Sequence, residues 1–245
     1  MDDYQVLDIS NWCNSGTSEL EDGDQVVIGR NLFRGIPFQV GVDGRGGEAD
    51  CYIALDYKDG SVSIPVNERA YTVIFAHRLL DDGLPQNEEP GKPIAEYVFH
   101  LSDGRNERVA IRKRFEIAAK PKEGVAFRTP IYRALTDQGP TLMNRHEGPW
   151  HMAGRRQTEA LPGQLLSYYL WSWRNPDPDR TLESIEIVPA GPRFILAGIT
   201  LGHVDEHPFN REGRRKARIL LKDDEEAQMP FNLETSVDRG DVTYT

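Results

Sequence analysis

The stretch AEYVFHLSDGRNERVAIRKRFEI limits the fold more than any other part of the chain. Asp103-Gly104, within Ser102-Asp103-Gly104-Arg105, is a pair that tolerates positive φ, and it separates two arms in which apolar and polar residues alternate. Ala95, Tyr97, Phe99 and Leu101 share one face of the first arm, against Glu96, Val98, His100 and Ser102 on the other. In the second arm Val109, Ile111, Lys113 and Phe115 oppose Ala110, Arg112 and Arg114. Period-two alternation on both sides of such a turn predicts an antiparallel hairpin with one covered face and one wet face.

The rest of the chain has the same texture. Its 22 glycines and 16 prolines follow no period and punctuate short runs rich in β-branched and aromatic residues. Strands are predicted at Gln25 to Ile28, Gly35 to Val42, Asp50 to Leu55, Ser61 to Pro65, Ala70 to Phe75, Ile94 to Leu101, Arg108 to Ile117, Leu165 to Trp173, Leu182 to Val188, Phe194 to Leu201 and Ala217 to Leu221. A second Asp-Gly turn, Lys58-Asp59-Gly60-Ser61, joins CYIALDY to VSIPV. Helix-length amphipathic segments are scarce. The expected fold is all-β: a two-sheet antiparallel sandwich of jelly-roll type, built from about ten short strands.

At 245 residues one large β domain over 1–245 is the simplest organisation, because sandwiches reach that length as a single unit. A boundary near residue 120 is the alternative, since both halves share the β pattern. The polar loop LLDDGLPQNEEPGKP and the irregular region at about 120–162 break the strand rhythm, and irregular stretches as long as the second are commonly binding loops or lids.

With 39 acidic against 29 basic residues and a formal charge of −10, the chain lacks the basic footprint that phosphate backbones require, so nucleic acid is not an expected partner. The clusters Arg112-Lys113-Arg114 and Arg211 to Arg218 have acidic neighbours and read as solvated faces. Two cysteines, Cys13 and Cys51, exclude a disulfide framework and a thiolate zinc cage, and leave one bridge open. The start, MDDYQVLDIS, has neither a basic nor a long apolar signal region, and no window approaches 18 uninterrupted apolar residues. A soluble, cytoplasmic protein without a membrane partner is the expectation.

Four places carry residues suited to binding or chemistry. In YYLWSWRNPDPDR, Tyr169, Trp171 and Trp173 share a strand face. Three such rings bury a large area under a second sheet, or else stack on pyranose rings; Trp173, next to the polar turn, is a candidate ligand contact. Asn175, before Pro176, is placed to hold the bend that follows. MNRHEGPWH, in the irregular region, groups Arg145, His146 and Trp150, and loops on a rigid scaffold are where binding groups concentrate. The alternative for Trp150 is an edge aromatic of the core.

His203-Val204-Asp205-Glu206-His207 matches the H-x-x-E-H pattern of inverted zinc peptidases, whose ligands must share a helical face. Here a strand pattern and Gly202 precede it and Pro208 follows, so no helix is expected. His203, Asp205 and His207 are left as candidates for a loop metal site, and the carboxylate of Asp205 or Glu206 would suit a hard cation such as a structural calcium; no other cofactor is indicated. Carboxylate pairs for glycoside hydrolysis cannot be assigned, because their separation in space decides that chemistry.

Asp8-Ile9-Ser10, Gly35-Ile36-Pro37-Phe38, Tyr97 to Gly104, Trp173-Arg174-Asn175-Pro176, Glu183-Ser184-Ile185-Glu186-Ile187 and Ile199-Thr200 together resemble the galactose-binding-like jelly-roll modules that lie beside catalytic domains in bacterial carbohydrate-active enzymes. With Gly191-Pro192-Arg193-Phe194 and Ile199 to His203, the pattern is also similar to the N-terminal accessory region of bacterial CehA/McbA-type metallohydrolases, whose catalytic part belongs to the polymerase-and-histidinol-phosphatase superfamily. The H-x-H histidine pairs of that catalytic part are missing, so the resemblance carries over no catalytic residue. It implies a non-catalytic, carbohydrate-binding accessory domain, free-standing or cut ahead of an enzyme, and the end at Val242-Thr243-Tyr244-Thr245 fits a cut. The rival expectations are a glycan-acting hydrolase or lyase with a loop metal, and an assembly domain that packs on a catalytic partner.

Overall fold

In the computed structural model, residues 3–20, 27–41, 50–80, 91–113, 115–119, 132–135, 141–142, 160–161, 165–209, 235–238 and 241–244 are described. Contacts group the chain into two compact units, Met1–Asn210 and Arg211–Thr245, where the sequence suggests one domain over 1–245. The first unit runs through the alternative boundary near residue 120. The second holds the antiparallel pair β15 (Thr235–Asp238) and β16 (Asp241–Tyr244), whose ladder is with each other. The strand expected at Ala217 to Leu221 lies outside the described residues.

The first unit is built on two antiparallel sheets. The larger has the order β1 (Tyr4–Leu7), β14 (Phe194–Gly202), β6 (Thr72–Leu79), β12 (Leu165–Arg174), β9 (Tyr132–Leu135). β4 (Ile53–Leu55) pairs with the first half of β14, and β1 with its second half. The smaller sheet has the order β5 (Val62–Glu68), β13 (Leu182–Pro189), β7 (Pro93–Leu101), β8 (Asn106–Arg112). Pro65, which has no N–H to donate, sits on edge strand β5, where one flank needs no ladder bond. The all-β, two-sheet antiparallel sandwich expected from the sequence is the observed architecture.

Between the sheets lies the main core. Val73, Phe75 and Leu79 of β6 and Leu196, Ile199 and Leu201 of β14 face Tyr97, Phe99 and Leu101 of β7 and Leu182, Ile185 and Ile187 of β13. The β7–β8 hairpin has the expected Asp-Gly turn and register, with Tyr97 opposite Val109 and Phe99 opposite Glu107. Two of its residues depart from simple alternation. Val98, on the outer face, is fully buried, because it lies between Glu186 and Arg108, whose long side chains can cover it. Phe115, expected to point inward, is 43% exposed. β8 ends at Arg112, where the Glu116 carboxylate accepts from the Arg112 amide and the chain doubles back, so the period-two rule stops applying.

The Lys58 to Ser61 turn does not close a hairpin. Asp56 caps it by accepting from the Lys58 amide at 2.7 Å, yet β4 belongs to the large sheet and β5 to the small one, so the turn carries the chain from one sheet to the other.

A third layer was not anticipated. β2 (Gly29–Phe33) and β3 (Ile36–Val40) form a hairpin whose two-residue turn, Arg34-Gly35, has positive φ at both positions, 54° and 75°. That is the type I′ geometry matched to the right-handed twist of flanking strands, and Gly35 adopts it without steric cost. Phe33, Ile36, Phe38 and Val40 pack on the outer face of the large sheet with Ile74, Ala76, Tyr168, Leu170, Ile195 and Ala197. β6 and β14 are therefore buried on both faces along their whole length. The approach is close at Gly198, where a Cβ would stand 3.0 Å from the Gln39 carbonyl oxygen and 3.2 Å from the Phe38 ring. Gly198→Val is expected to lift the hairpin and cost about 1–3 kcal/mol, as overpacking does; urea denaturation with an unchanged m-value checks it. β10 (Thr141–Leu142) and β11 (Ala160–Leu161) complete the strands as a short antiparallel ladder.

Candidate functional site

The residues singled out from the sequence fall into three places. Arg145, His146 and Trp150 belong to the connection 143–159 between β10 and β11, which lies outside the described residues. Trp173 is in the core. Its indole is 6% exposed and lies flat on Phe99, with ring centroids 3.8 Å apart and planes 7° from parallel. The expectation that Trp173 touches a ligand is thus corrected, since the ring surface a sugar would use is already covered by β7. Trp171 stacks on Phe75 and meets Tyr97 edge-on. Tyr168 and Leu170 point the other way into the layer under β2 and β3, so the aromatic strand is covered on both sides.

Beyond Trp173 the chain turns as its prolines require. Asn175 accepts from the Asp177 amide at 3.0 Å and donates to the Ala70 carbonyl at 2.9 Å, so it holds the bend and also fastens it to the start of β6. Asp177 and Asp103 both receive Arg105, at 2.6 and 2.7 Å, which joins this turn to the β7–β8 turn. These are exposed pairs of small energetic weight.

His203, Asp205 and His207 lie on a non-helical exit from β14, in keeping with Gly202 and Pro208. Their contacts are spread over different neighbours: His203 Nε2 is 3.2 Å from Gln5 Oε1, Asp205 accepts from Arg174 at 2.8 Å, and His207 Nδ1 accepts from the Phe209 amide at 3.3 Å. Glu206 accepts from the Tyr4 hydroxyl at 2.7 Å. Among the described residues no three His, Cys, Asp or Glu side chains are grouped so that they could hold a metal ion. The expected loop trio is accordingly not assembled: the chain bends at Val204, Asp205 and Glu206, so the alternation that would put His203, Asp205 and His207 on one side of a strand is lost.

Both cysteines are free thiols. Burial pushes the Cys13 thiol up to about 12, ahead of the influence of Cys51, so it stays protonated and a weak nucleophile at neutral pH. Burial also raises Cys51.

Two polar arrangements were not singled out beforehand. On the outer face of the small sheet, His100 Nδ1 is 2.8 Å from Asn106 Oδ1 and its Nε2 is 3.4 Å from Glu186. Alongside, Arg108 donates to Glu96 at 2.6 Å. A hydrogen bond from Ser61, ahead of the effect of His100, holds the Glu186 carboxyl below the usual range. The second is inside the sandwich. His77 is fully buried on β6, with Nδ1 2.9 Å from the Tyr97 hydroxyl and Nε2 2.8 Å from the Glu116 carbonyl. Because a carbonyl only accepts, Nε2 carries the proton and Nδ1 accepts from Tyr97. Loss of hydration lowers His77 to about 4, and burial raises Tyr97. His77 shares a strand face with Val73 and Phe75, and that alternation was the available signal. Its partners, 20 and 39 residues away, have no signature in the spacing.

Among the described residues no helix is long and apolar enough to cross a membrane. Comparison with protein families, with curated proteins and with solved structures finds no match to this chain.

Proposed function

We propose that the chain is a non-catalytic carbohydrate-recognition or accessory domain of galactose-binding-like, jelly-roll character, working beside a glycan-active or metal-dependent hydrolase. One observation supports this reading above others. β10 and β11 pair antiparallel, Thr141 with Leu161 and Leu142 with Ala160, and so bring together the two ends of the connection that carries Arg145, His146 and Trp150. β9, earlier in the same stretch, pairs with β12 at the edge of the large sheet. A connection closed by a ladder on a β scaffold is the usual setting for binding residues. In this reading Trp150 stacks on a sugar ring while Arg145 and His146 hydrogen-bond its hydroxyls. The resemblance of its phrases to the accessory regions of CehA/McbA-type enzymes is what suggests the catalytic partner.

A glycan array followed by calorimetry on the best binder tests the proposal. Trp150→Ala is expected to weaken that binding by about 2 kcal/mol, roughly 30-fold, with the melting temperature unchanged. Binding unaffected in a folded variant would favour an assembly domain. Release of product that depends on added metal would favour the hydrolase or lyase reading.

A further inference from the structure

The buried histidine fastens a segment that is bonded to both sheets. After β8 the chain runs through 115–119 from the small sheet to the large one. Ile117 is fully buried in the main core, and Ala118 packs on Tyr169. The Leu79 amide donates to the Ala118 carbonyl at 3.1 Å, Tyr169 Oη donates to the Ala119 carbonyl at 3.0 Å, and His77 Nε2 donates to the Glu116 carbonyl. At the near end Arg112 donates twice to the Glu116 carboxylate, at 2.6 and 3.0 Å. Three of these fasteners sit on β6 and β12, and one of them is a histidine.

We propose that residues 115–119 form an acid-released strap, keyed to the neutral imidazole of His77, which opens locally and ahead of the sandwich as the pH falls. The reason is charge. A second proton on His77 leaves its hydrogen bonds possible, since the Tyr97 hydroxyl can turn to accept. It places a cation where every facing group is neutral or already engaged. From β14 the register puts Leu196 opposite, from β12 Tyr169, from β7 comes Tyr97, and on its own strand Phe75 stacks nearby. Arg78 lies on the opposite face of β6, 2% exposed, and adds like charge. From the strap itself comes a carbonyl, with the Glu116 carboxylate held by Arg112. Lifting 115–119 admits water to the imidazole without separating the paired strands, and folded proteins open locally at free energies that lie between fraying and global unfolding.

The sign follows from linkage. His77 is lowered to about 4 from an ordinary 6.5, so the open form binds protons more readily than the closed one. The strap is fully fastened above pH 6.5 and loses its hold as pH falls toward 4. Between pH 7 and pH 5 the opening equilibrium should rise about 20-fold.

Hydrogen exchange resolved by residue tests this in the intact chain, after correction for the intrinsic pH dependence of exchange. The Leu79 amide should lose about 20-fold of its protection between pH 7 and pH 5, while amides in the middle of β6 keep theirs. His77→Gln can keep both hydrogen bonds in kind and cannot take up a proton, so its Leu79 protection should not change over that range. Loss of protection at Leu79 and mid-β6 together, or an acid response that persists in His77→Gln, would overturn the proposal. Should that variant fail to fold, the ring ¹⁵N shifts of His77 in the natural sequence decide: protonation must track Leu79 exchange, and a strap that opens over a neutral imidazole contradicts the proposal.

Discussion

Trp173→Ala is expected to destabilise the protein by about 3–5 kcal/mol, the cost of removing a large buried ring from a core that closes only partly over the gap. The indole is sandwiched into the main core against Phe99, and its loss also strips Phe99 of a stacked partner. Stacked pairs contribute about 0.5–1.5 kcal/mol beyond their buried area, so Phe99→Ala and the double variant should show coupling between the two sites. Denaturant unfolding of the four proteins in the cycle measures it. A Trp173→Ala protein that unfolds at the original midpoint but loses affinity for a glycan would restore the stacking role that the geometry denies.

The second large effect concerns the layer that covers the large sheet from outside. Phe38→Ala should cost about 3–5 kcal/mol, comparable to a deletion in the main core, because the ring is fully buried between Phe33 and the β14 backbone. If β2 and β3 were merely a surface flap, truncation there would fall within about 0.5 kcal/mol, as surface substitutions usually do. Thermal unfolding of Phe38→Ala against Leu32→Ala, a neighbour that is exposed on the same hairpin, separates these outcomes.

How much of this was legible depends on whether the information is local. The β7–β8 hairpin was, because its turn chemistry and alternation sit within one short stretch. So was the division of YYLWSW into two faces, since extended backbone sends alternate side chains to opposite sides. The Lys58 to Ser61 turn shows the limit: Asp-Gly reports that the chain bends and says nothing about which strands pair beyond it. Phe115 shows another, because alternation holds only while the strand lasts. The third layer does leave a local signal. TVIFAHRL and FILAGITLG are nearly continuous apolar runs, and strands buried on both faces read that way, unlike strands with one wet face. What lay beside them, the GRNLF strand, carries too many polar residues to announce itself.

The site was less legible than the fold. Motifs drew attention to HVDEH and to the MNRHEGPWH loop, where chemistry-bearing residues are close in sequence. The structure separates the three candidate ligands of the first, and the second lies outside the described residues. His77, Tyr97 and Glu116, which do meet, come from a strand, its cross-sheet neighbour and a strap, and only the folded chain makes them neighbours.

The central claim is that the large sheet lies between two apolar layers, with the aromatic strand covered on both sides. Nuclear Overhauser contacts in solution test it most directly. Gly198 α-protons should show contacts to the Phe38 ring and a marked ring-current shift, and the Trp173 indole should show contacts to Phe99. Contacts from Trp173 to Phe99 with none between Gly198 and Phe38 would leave a plain two-layer sandwich, and absence of both would contradict the account.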